Sequence, residues 1–360
     1  MPVHGETCDR PEELDDGWVV SAADEAGLSG RALSGLDAFL SAWPGANVHA
    51  VVVARRGKLV MERYFTGMDH RWLLSSAVTR FSATDKHDLR SISKSVTSLL
   101  VGIALGEGRF PPLDSSVLDL FPQYADLVTP EKARITFRHL LTMSPGLAWD
   151  ESRPWKDPTN SERLLDEAGD PYRYFLEQPV VRPPGELFLY GGGATSVLGA
   201  AVAQAVGQKA DVYARERLFS PLGITDFEWL PFSNHPDPAF FGALRLRPRD
   251  LAKIGQLVAS GGVWNGERVL PAGWVRESTT PRLNTDSLLY FGYHWWLGRS
   301  LLYGRDLSWV GGIGNGGQRL YVFPELELVI AITAALYGSP LQATVPQALV
   351  NRFVLPAVIA

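Results

Sequence analysis

The amino-acid sequence predicts an α+β fold of the α/β-sandwich type, with an antiparallel sheet flanked by terminal helices and a largely helical second domain. Two short β-rich units lie near opposite ends of the 360-residue chain. The stretch between them is dominated by helical patterns and by loops rich in Pro, Gly and Trp. Because a two-stranded hairpin is barely stable alone, we expect the two units to pair in one sheet.

The pattern begins with a polar segment, residues 1–30, which we expect to be loosely attached. The run GRALSGLDAFLSAW, residues 30–43, has apolar residues at helical spacing and predicts an amphipathic helix. The run VHAVVVARRGKLVMERYF, residues 48–65, contains two β-rich stretches around Arg55-Arg56-Gly57-Lys58. It therefore predicts a hairpin that turns at this tetrapeptide.

The C-terminal part repeats this arrangement in the opposite order. The run QRLYVFPELELVIAITAAL, residues 318–336, predicts a second hairpin with its turn at Pro324-Glu325. The run VPQALVNRFVLPAVI, residues 345–359, predicts a C-terminal helix that covers the sheet.

These elements predict two structural parts and a site between them. We expect a discontinuous sheet domain from residues 31–105 and 240–360, and a mainly helical domain from residues 106–239. Ligand sites are common where two domains meet. The active site is therefore predicted in the cleft between the two parts.

Composition excludes several classes of function. The formal net charge is −5 and there is no tract rich in Lys and Arg, so we expect no nucleic-acid partner. No apolar run is long enough to span a membrane, so we expect no membrane partner. The N-terminus is acidic and has no hydrophobic stretch of the secretory type, which predicts a cytoplasmic protein. The oligomeric state cannot be deduced from the sequence.

Metal and cofactor sites are not predicted either. Cys8 is the only cysteine, and the seven histidines are scattered without an H-E-x-x-H motif or an i,i+4 pair. The run from Gly312 to Gly317 matches G-x-G-x-x-G, but a β-rich run follows it rather than the helix that a dinucleotide site requires. We therefore expect no cofactor and no metal.

One run with a helical pattern, residues 89–100, contains candidate catalytic residues. In LRSISKSVTSLL, residues 89–100, the apolar residues recur at helical spacing, and the small apolar segment that follows predicts a helix buried nearly all round. Ser91 and Lys94 lie one turn apart at its start. In an S-x-x-K motif the serine hydroxyl attacks a carbonyl and the lysine amine accepts its proton. A buried lysine with this role needs a lowered pKa, which we expect here.

Two further segments support this interpretation. Tyr190 stands at the end of an extended run, before a glycine cluster and a helical pattern, where it can act as a second acid or base. The glycine-rich run at residues 311–317 precedes a β-rich stretch, and its backbone N–H groups can line a substrate. Each segment alone has an ordinary structural explanation, but the order of all three along the chain favours a catalytic set.

The chain resembles the serine β-lactamase-like hydrolases, which include class C β-lactamases, their esterase relatives and the 6-aminohexanoate-dimer hydrolase-like branch. The resemblance extends from HAVVVARRGKLVMERYFTG to LVIAITA and includes ITFRHLLTMSPGLAWDE, PPGELFLYGGGATSVLG and GNGGQRLYVFPE. It implies that Ser91 is the acyl-accepting nucleophile, Lys94 its base and Tyr190 the tyrosine of the Y-x-N motif. It also implies an oxyanion hole formed by the backbone N–H groups of Ser91 and Asn315.

Two departures from the family pattern bear on the substrate. The Y-x-N motif reads Tyr190-Gly191-Gly192, so it lacks the asparagine amide, and Gly312-Ile313-Gly314 stands where K-T-G is expected, so it lacks the cation. Both changes weaken the β-lactamase interpretation and leave the acyl-transfer residues in place. The sequence thus predicts a serine hydrolase of small carboxylic esters or amides. A β-lactamase, a D,D-peptidase and a binding module without turnover remain alternatives.

The remaining candidates concern the walls of the site. Gly192, Gly312 and Gly314 are predicted to contact the substrate. Trp149 and Trp296 are either core aromatics or walls of the acyl pocket. His87, just before Ser91, is interpreted as a structural neighbour rather than a base, because an S-x-x-K site already contains its base.

Overall fold

A computed structural model describes residues 9–72, 76–285 and 287–359 of the chain. Sixteen strands are assigned within these ranges, and nine of them form one large sheet. The strands are β1 Val19–Val20, β2 Val48–Arg55, β3 Lys58–Tyr64, β4 Thr66–Asp69, β5 Ala77–Arg80, β6 His87–Asp88, β7 Glu228–Trp229, β8 Leu244–Leu246, β9 Val263–Trp264, β10 Glu267–Arg268, β11 Leu283–Asn284, β12 Tyr290–Phe291, β13 Trp296–Leu302, β14 Arg305–Gly314, β15 Gln318–Phe323 and β16 Leu328–Ala334.

Ten α-helices accompany these strands in the described part of the chain. They are α1 Gly30–Ser41, α2 Ile92–Gly106, α3 Phe137–Leu141, α4 Ser161–Glu167, α5 Pro171–Glu177, α6 Gly192–Val206, α7 Ala210–Ala214, α8 Pro248–Ala259, α9 Ala272–Ser278 and α10 Leu341–Leu349. Shorter 3₁₀ and π-helical turns connect them, including Arg215–Phe219 and Val350–Val354.

The large sheet joins the two ends of the chain, as the sequence predicts. Its strand order is β1-β3-β2-β16-β15-β14-β13-β12-β11. The two predicted hairpins are β2–β3 and β15–β16, and they meet where β2 pairs with β16 in antiparallel register, with Val53 opposite Ile330. Neither hairpin therefore has to bury its apolar face alone.

The two faces of the sheet belong to two hydrophobic clusters, because successive side chains of a strand point to opposite sides. On β2, Val51 and Val53 join the cluster that contains apolar residues of α1 and α10. Val52 and Ala54 join the other cluster, which contains residues of α2, α6 and α8. Helices thus cover both faces of the sheet, and the predicted fold class is confirmed.

Both predicted terminal helices are present, but each begins or ends at a different residue from the one predicted. The N-terminal helix ends at Ser41, and its Ser29 side chain caps it by accepting a hydrogen bond from Ala32 N. The C-terminal helix begins at Leu341, before the predicted run, and the chain continues from it into the π-helical turn Val350–Val354. Helix ends are the least reliable feature of a periodic pattern, because the core-facing residues fix only the middle of a helix.

The expectation that residues 1–30 are loosely attached is wrong for the described residues 9–30. Trp18 is buried, and its Nε1 donates to the backbone oxygen of Arg249 at 3.2 Å. The carboxylate of Asp16 pairs with the buried Arg249 guanidinium at 2.9 Å, and β1 adds a parallel strand beside β3. Although its composition is polar, the segment is attached to the rest of the fold by the buried Trp18 side chain and by the ion pair of Asp16 with Arg249.

The middle of the chain carries most of the short helices. Its apolar residues join the same hydrophobic cluster as the inner face of the sheet, so the two predicted parts share one core. The division at residues 105–106 and 239–240 stays a prediction. None of the helices in the described ranges is both long and apolar enough to cross a membrane.

Candidate active site

Helix α2 begins at the first two candidate residues, with Ser91 just before it and Lys94 in its first turn. Its residues from Ile92 to Ala104 are all buried, as the apolar pattern predicts. Ser91 precedes the helix and its hydroxyl makes no capping hydrogen bond to the first turn. The hydroxyl oxygen therefore remains available for other chemistry, and Lys94, which is 2% exposed, lies one turn further on.

The turn before Ser91 has an unusual backbone. Arg90 has φ of 50°, in the left-handed region that a non-glycine residue adopts rarely. Its guanidinium lies between the rings of Trp72 and Tyr337, 4.6 Å from each centroid. Its Nε donates to the Tyr337 hydroxyl at 3.1 Å, and its Nη2 pairs with Asp88 at 3.2 Å. These contacts hold the strained turn in the conformation that presents Ser91.

The Lys94 ammonium has three N–H donors and three acceptors. Its Nζ donates to the backbone oxygen of Phe241 at 2.7 Å, to Ser91 Oγ at 3.2 Å and to Glu162 Oε1 at 3.4 Å. Because each N–H bond has a partner, the buried charge is compensated. The serine and the lysine are therefore in direct contact, as the S-x-x-K spacing predicts.

The expectation of a lowered lysine pKa is wrong. Burial alone would lower the pKa of Lys94, but Tyr190 in its ionised form, together with Glu162 and Glu151, favours the ammonium and raises the pKa above its usual value. The carboxylates of Glu162 and Glu151 thus favour the charged form of Lys94. The carboxylates belong to residues far along the chain, so the spacing around Lys94 gives no indication of them.

Glu162 is the main finding that sequence reasoning missed. It lies in the first turn of α4, whose N-terminus is capped by the side chain of Asn160. Burial and the nearby charge of Glu151 raise the pKa of Glu162 to about 7, although Lys94 acts in the opposite direction. A carboxyl that titrates near neutrality beside a buried amine is suited to exchange a proton with it.

A glycine at position 192 makes room for this carboxylate. A Cβ atom at Gly192 would lie 2.6 Å from Glu162 Oε1 and 2.9 Å from Phe241 Cβ. The backbone N–H of Gly192 donates to Glu151 Oε2 at 2.7 Å, and Trp149 Nε1 donates to the same oxygen at 2.8 Å. The carboxylate of Glu162 thus takes the space that a longer residue of the Y-x-N motif would need.

Tyr190 lies beside the lysine, as predicted. Its ring centroid is 5.0 Å from Lys94 Nζ, and the chain around it is irregular rather than a strand until α6 begins at Gly192. Burial raises the pKa of Tyr190, while Lys94 and a hydrogen bond to Ser91 oppose the rise. The phenol therefore keeps its proton at neutral pH.

A cavity of about 680 Å³ opens beside Ser91. Residues from both predicted parts of the chain line it. Asn315, in the turn after β14, lines the same cavity as Ser91. Besides these two and Glu162, the lining includes Trp72, Arg90, Trp155, Lys156, Phe241 and Tyr337. The cavity is mixed in character, with an aromatic wall and several charged groups.

Five predicted substrate contacts do not line this cavity. A Cβ at Gly312 would meet Ile92 Cγ2 at 2.9 Å, and one at Gly314 would meet the Leu89 backbone oxygen at 2.4 Å. These two glycines let β14 approach the start of α2. Gly192 borders Glu162, as described above.

The two predicted tryptophans lie beside Tyr190 and the adjacent Gly191, and neither lines the cavity. Trp296 lies 5.5 Å from the Tyr190 ring, and Trp149 packs on Phe175 at 5.4 Å and against the neighbouring Gly191. Their contact with a substrate stays a prediction. The tryptophans that do line the cavity are Trp72 and Trp155, and their ring centroids are 4.9 Å apart.

His87 is buried and does not line the cavity. Its interpretation as a structural neighbour rather than a base stays a prediction. The family pattern has an asparagine at position 192, and its absence is the one sequence signal for a replacement group. It could not indicate Glu162, because only the fold brings α4 beside α2.

Comparison with known proteins identifies the family. The sequence model of the family described as "Beta-lactamase" matches residues 42–348 of the chain. The chain belongs to the β-lactamase family. This match covers both hairpins, Ser91, Lys94, Tyr190 and Asn315.

Similar proteins have hydrolase names. The 6-aminohexanoate-dimer hydrolase of Paenarthrobacter ureafaciens is 26% identical over 308 residues, which are 78% of this chain and 71% of that protein. A structure described as a 6-aminohexanoate-dimer hydrolase from Bacillus anthracis has a TM-score of 0.70 at 19% identity, covering 87% of this chain and 80% of the other. A family VIII carboxylesterase structure has a TM-score of 0.65 at 17% identity, and the match covers 91% of this chain and 99% of the other. The likeness to the two structures shows the fold.

Proposed function

We propose that this protein is a serine hydrolase that forms an acyl-enzyme on Ser91 and acts on small carboxylic esters or amides. The observation that carries the proposal is the contact between Ser91 Oγ and Lys94 Nζ at 3.2 Å beside an open cavity. The hydrolase names of the similar proteins support the same class of reaction. The partner is therefore a small molecule.

The first step needs a base, and the charged lysine alone is not one. We propose that Lys94 passes a proton to the Glu162 carboxylate, 3.4 Å away, as it accepts the proton of Ser91. Ser91 Oγ then bonds to the substrate carbonyl carbon, and the negative charge moves to the carbonyl oxygen. At the start of this step Lys94 is protonated and Glu162 is ionised.

The oxyanion that forms is placed near the start of α2. Backbone N–H groups at a helix N-terminus stabilise such a charge, and we propose that the N–H groups of Ser91 and Asn315 bind it. Tyr190, which keeps its proton, is suited to protonate the leaving group. Water then attacks the acyl carbon and gives a proton to the Tyr190 oxygen, and the bond from that carbon to Ser91 Oγ breaks. Ser91 Oγ regains its proton from Glu162 through Lys94, so the acid is released and all the groups return to their starting state.

The expected substrate class follows from what two positions of the family motifs lack. A β-lactam uses an amide beside the catalytic tyrosine and a cation for its carboxylate, and the chain has Gly192 and Gly312 at those positions. The lost hydrogen bonds amount to about 1.5–3 kcal/mol for a charged group and about 0.5–1.5 kcal/mol for a neutral one. A small uncharged ester uses neither contact. We therefore expect esters to be preferred over β-lactams by roughly two to three powers of ten in kcat/KM.

The experiment compares turnover of p-nitrophenyl butyrate with that of a chromogenic cephalosporin. Repeated turnover of the ester, at a higher kcat/KM than the cephalosporin, is the expected result. A faster cephalosporin reaction would favour a β-lactamase. One equivalent of product without further turnover would favour an acyl-binding module.

A further inference from the structure

Three buried polar side chains form a cluster that the proposed reaction does not use. His49 on β2, Asp69 at the end of β4 and His87 at the start of β6 are 0%, 5% and 2% exposed. One nitrogen of each histidine and one carboxylate oxygen of Asp69 lie within 4.8 Å of one another. Within residues 9–72, 76–285 and 287–359 this is the one group of at least three such side chains at that spacing.

The proton on the His49 ring can be placed from its neighbours. His49 Nε2 is 3.3 Å from Asn47 Oδ1. The amide of Asn47 cannot be turned round, because its Nδ2 donates to the backbone oxygens of Met68 and Ala335 at 3.1 and 3.0 Å, and its Oδ1 accepts from Met68 N at 3.0 Å. Since Nε2 faces an acceptor, it carries the hydrogen, and Nδ1 presents a lone pair.

The same argument applies to His87. Its Nδ1 is 2.9 Å from the backbone oxygen of Asp88, which only accepts hydrogen bonds. His87 Nδ1 therefore carries the hydrogen, and its Nε2 presents a lone pair. The two lone-pair nitrogens, His49 Nδ1 and His87 Nε2, face each other at 2.8 Å.

Two lone pairs at this distance repel each other unless a cation lies between them. A proton or a metal ion can supply this positive charge, and the carboxylate of Asp69 in the same group adds a third ligand of the kind that a metal ion binds. His294 shows the ordinary alternative within the same chain. Its Nδ1 donates to the Leu141 backbone oxygen at 2.9 Å and its Nε2 accepts from the Thr195 hydroxyl at 2.9 Å, so a neutral buried ring is fully satisfied there.

We propose that a divalent transition-metal cation of the Zn²⁺ type binds between His49 Nδ1, His87 Nε2 and the carboxylate of Asp69. Imidazole nitrogens and a carboxylate oxygen are ligands that zinc accepts. A metal-binding histidine generally donates its other N–H to an oxygen acceptor, which is the arrangement found on both rings. Tetrahedral zinc with Zn–N bonds of 2.0–2.1 Å separates its nitrogens by about 3.3 Å, so the rings need to part by about 0.5 Å.

The cluster joins strands that otherwise belong to separate sheets. β2 is in the large sheet, β4 pairs only with β5, and β6 belongs to a three-stranded sheet with β8 and β7. Phe81 stacks on the His49 ring at 4.1 Å and shields the cluster. None of the three ligand residues lines the cavity beside Ser91. The ion would therefore stabilise the fold just before the serine turn, and the inference does not depend on the proposed function.

The test measures metal in the full chain, expressed without a histidine tag. The protein is incubated with zinc, desalted and analysed by plasma mass spectrometry. About one zinc per chain is expected, together with a Tm that falls on chelation and recovers on adding zinc. Cobalt in place of zinc is expected to give the visible absorption bands of a four-coordinate site.

Variants locate the ion. Asp69→Asn and His87→Gln are expected to reduce retained zinc to below about one tenth of an equivalent. The control His235→Gln, which changes a histidine outside the cluster, is expected to retain the metal. Wild-type protein that keeps no zinc, with a Tm unaffected by zinc and by chelator, would overturn the proposal. So would undiminished zinc in both cluster variants.

Discussion

At the residue scale, the proposed reaction depends on a proton shared between two side chains from different elements. Glu162 and Glu151 favour the charged form of Lys94, whereas a base must be free to accept a proton. Glu162, with its pKa raised to about 7, is the group that resolves this conflict. Ionised Glu162 can take a proton from Lys94, and protonated Glu162 cannot.

The sign of the pH dependence follows from this exchange. Below pH 7 Glu162 gains a proton, so we expect kcat/KM for the butyrate ester to fall with an apparent pKa of about 7. Above that pH the activity should reach a plateau. The Glu162→Gln variant, which cannot accept a proton, should lose this acidic limb and about two to four powers of ten in rate.

The control is Glu167→Gln, on the same helix, whose carboxylate is paired with Arg163 at the surface. It should leave the pH profile unchanged. Lys94→Arg should be inactive, because arginine keeps its proton in proteins. A wild-type acidic limb retained in Glu162→Gln would assign the titration to another group.

At the element scale, the start of α2 is fixed by the close approach of β14. Gly314 makes this approach possible, since a Cβ there would lie 2.4 Å from the Leu89 backbone oxygen. That oxygen belongs to the turn that presents Ser91, so a backbone shift at this place is transmitted directly to Ser91.

We expect Gly314→Ala to lower the free energy of unfolding by about 1–3 kcal/mol, because the backbone must move to remove the overlap. The kcat/KM for the butyrate ester should fall as well. Urea unfolding and ester kinetics measure the two effects.

The matched control is Gly273→Ala in α9, where an added Cβ meets nothing within 4 Å. That variant should be neutral or more stable by about 0.5–1 kcal/mol, because alanine favours a helix. Equal behaviour of the two variants would show that β14 does not constrain the serine turn.

At the scale of the whole molecule, patterns local in the sequence and the pairing of the two hairpins could be predicted, whereas contacts between individual side chains of distant segments could not. The hairpins, the buried helix and the contact of Ser91 with Lys94 depend on neighbouring residues, so periodicity and spacing were sufficient. Glu162 and the cluster of His49 with His87 are brought together by the fold. No spacing rule detects a carboxylate or a second histidine that lies on another element.

The N-terminal segment illustrates the same limit. Its composition is polar, but Trp18 inserts between elements that lie more than 200 residues further along the chain. We expect Trp18→Ala to lower the free energy of unfolding by about 3–5 kcal/mol, as for other buried aromatic residues. Val19→Ala, at an exposed neighbour, should change it by less than about 0.5 kcal/mol. Denaturant unfolding measures both changes in the free energy of unfolding. A small effect of the Trp18 variant would show that the segment does not contribute to the stability of the fold.

The central claim is that Ser91 becomes covalently acylated, and one measurement tests it directly. The wild-type protein and the Ser91→Ala variant are treated with a serine-directed phosphonate, digested, and mapped by mass spectrometry. The account predicts one adduct on the peptide that contains Ser91, full loss of ester hydrolysis with labelling, and neither adduct nor activity in the variant. An adduct on another residue, or ester turnover by Ser91→Ala at more than a trace of the wild-type rate, would contradict it.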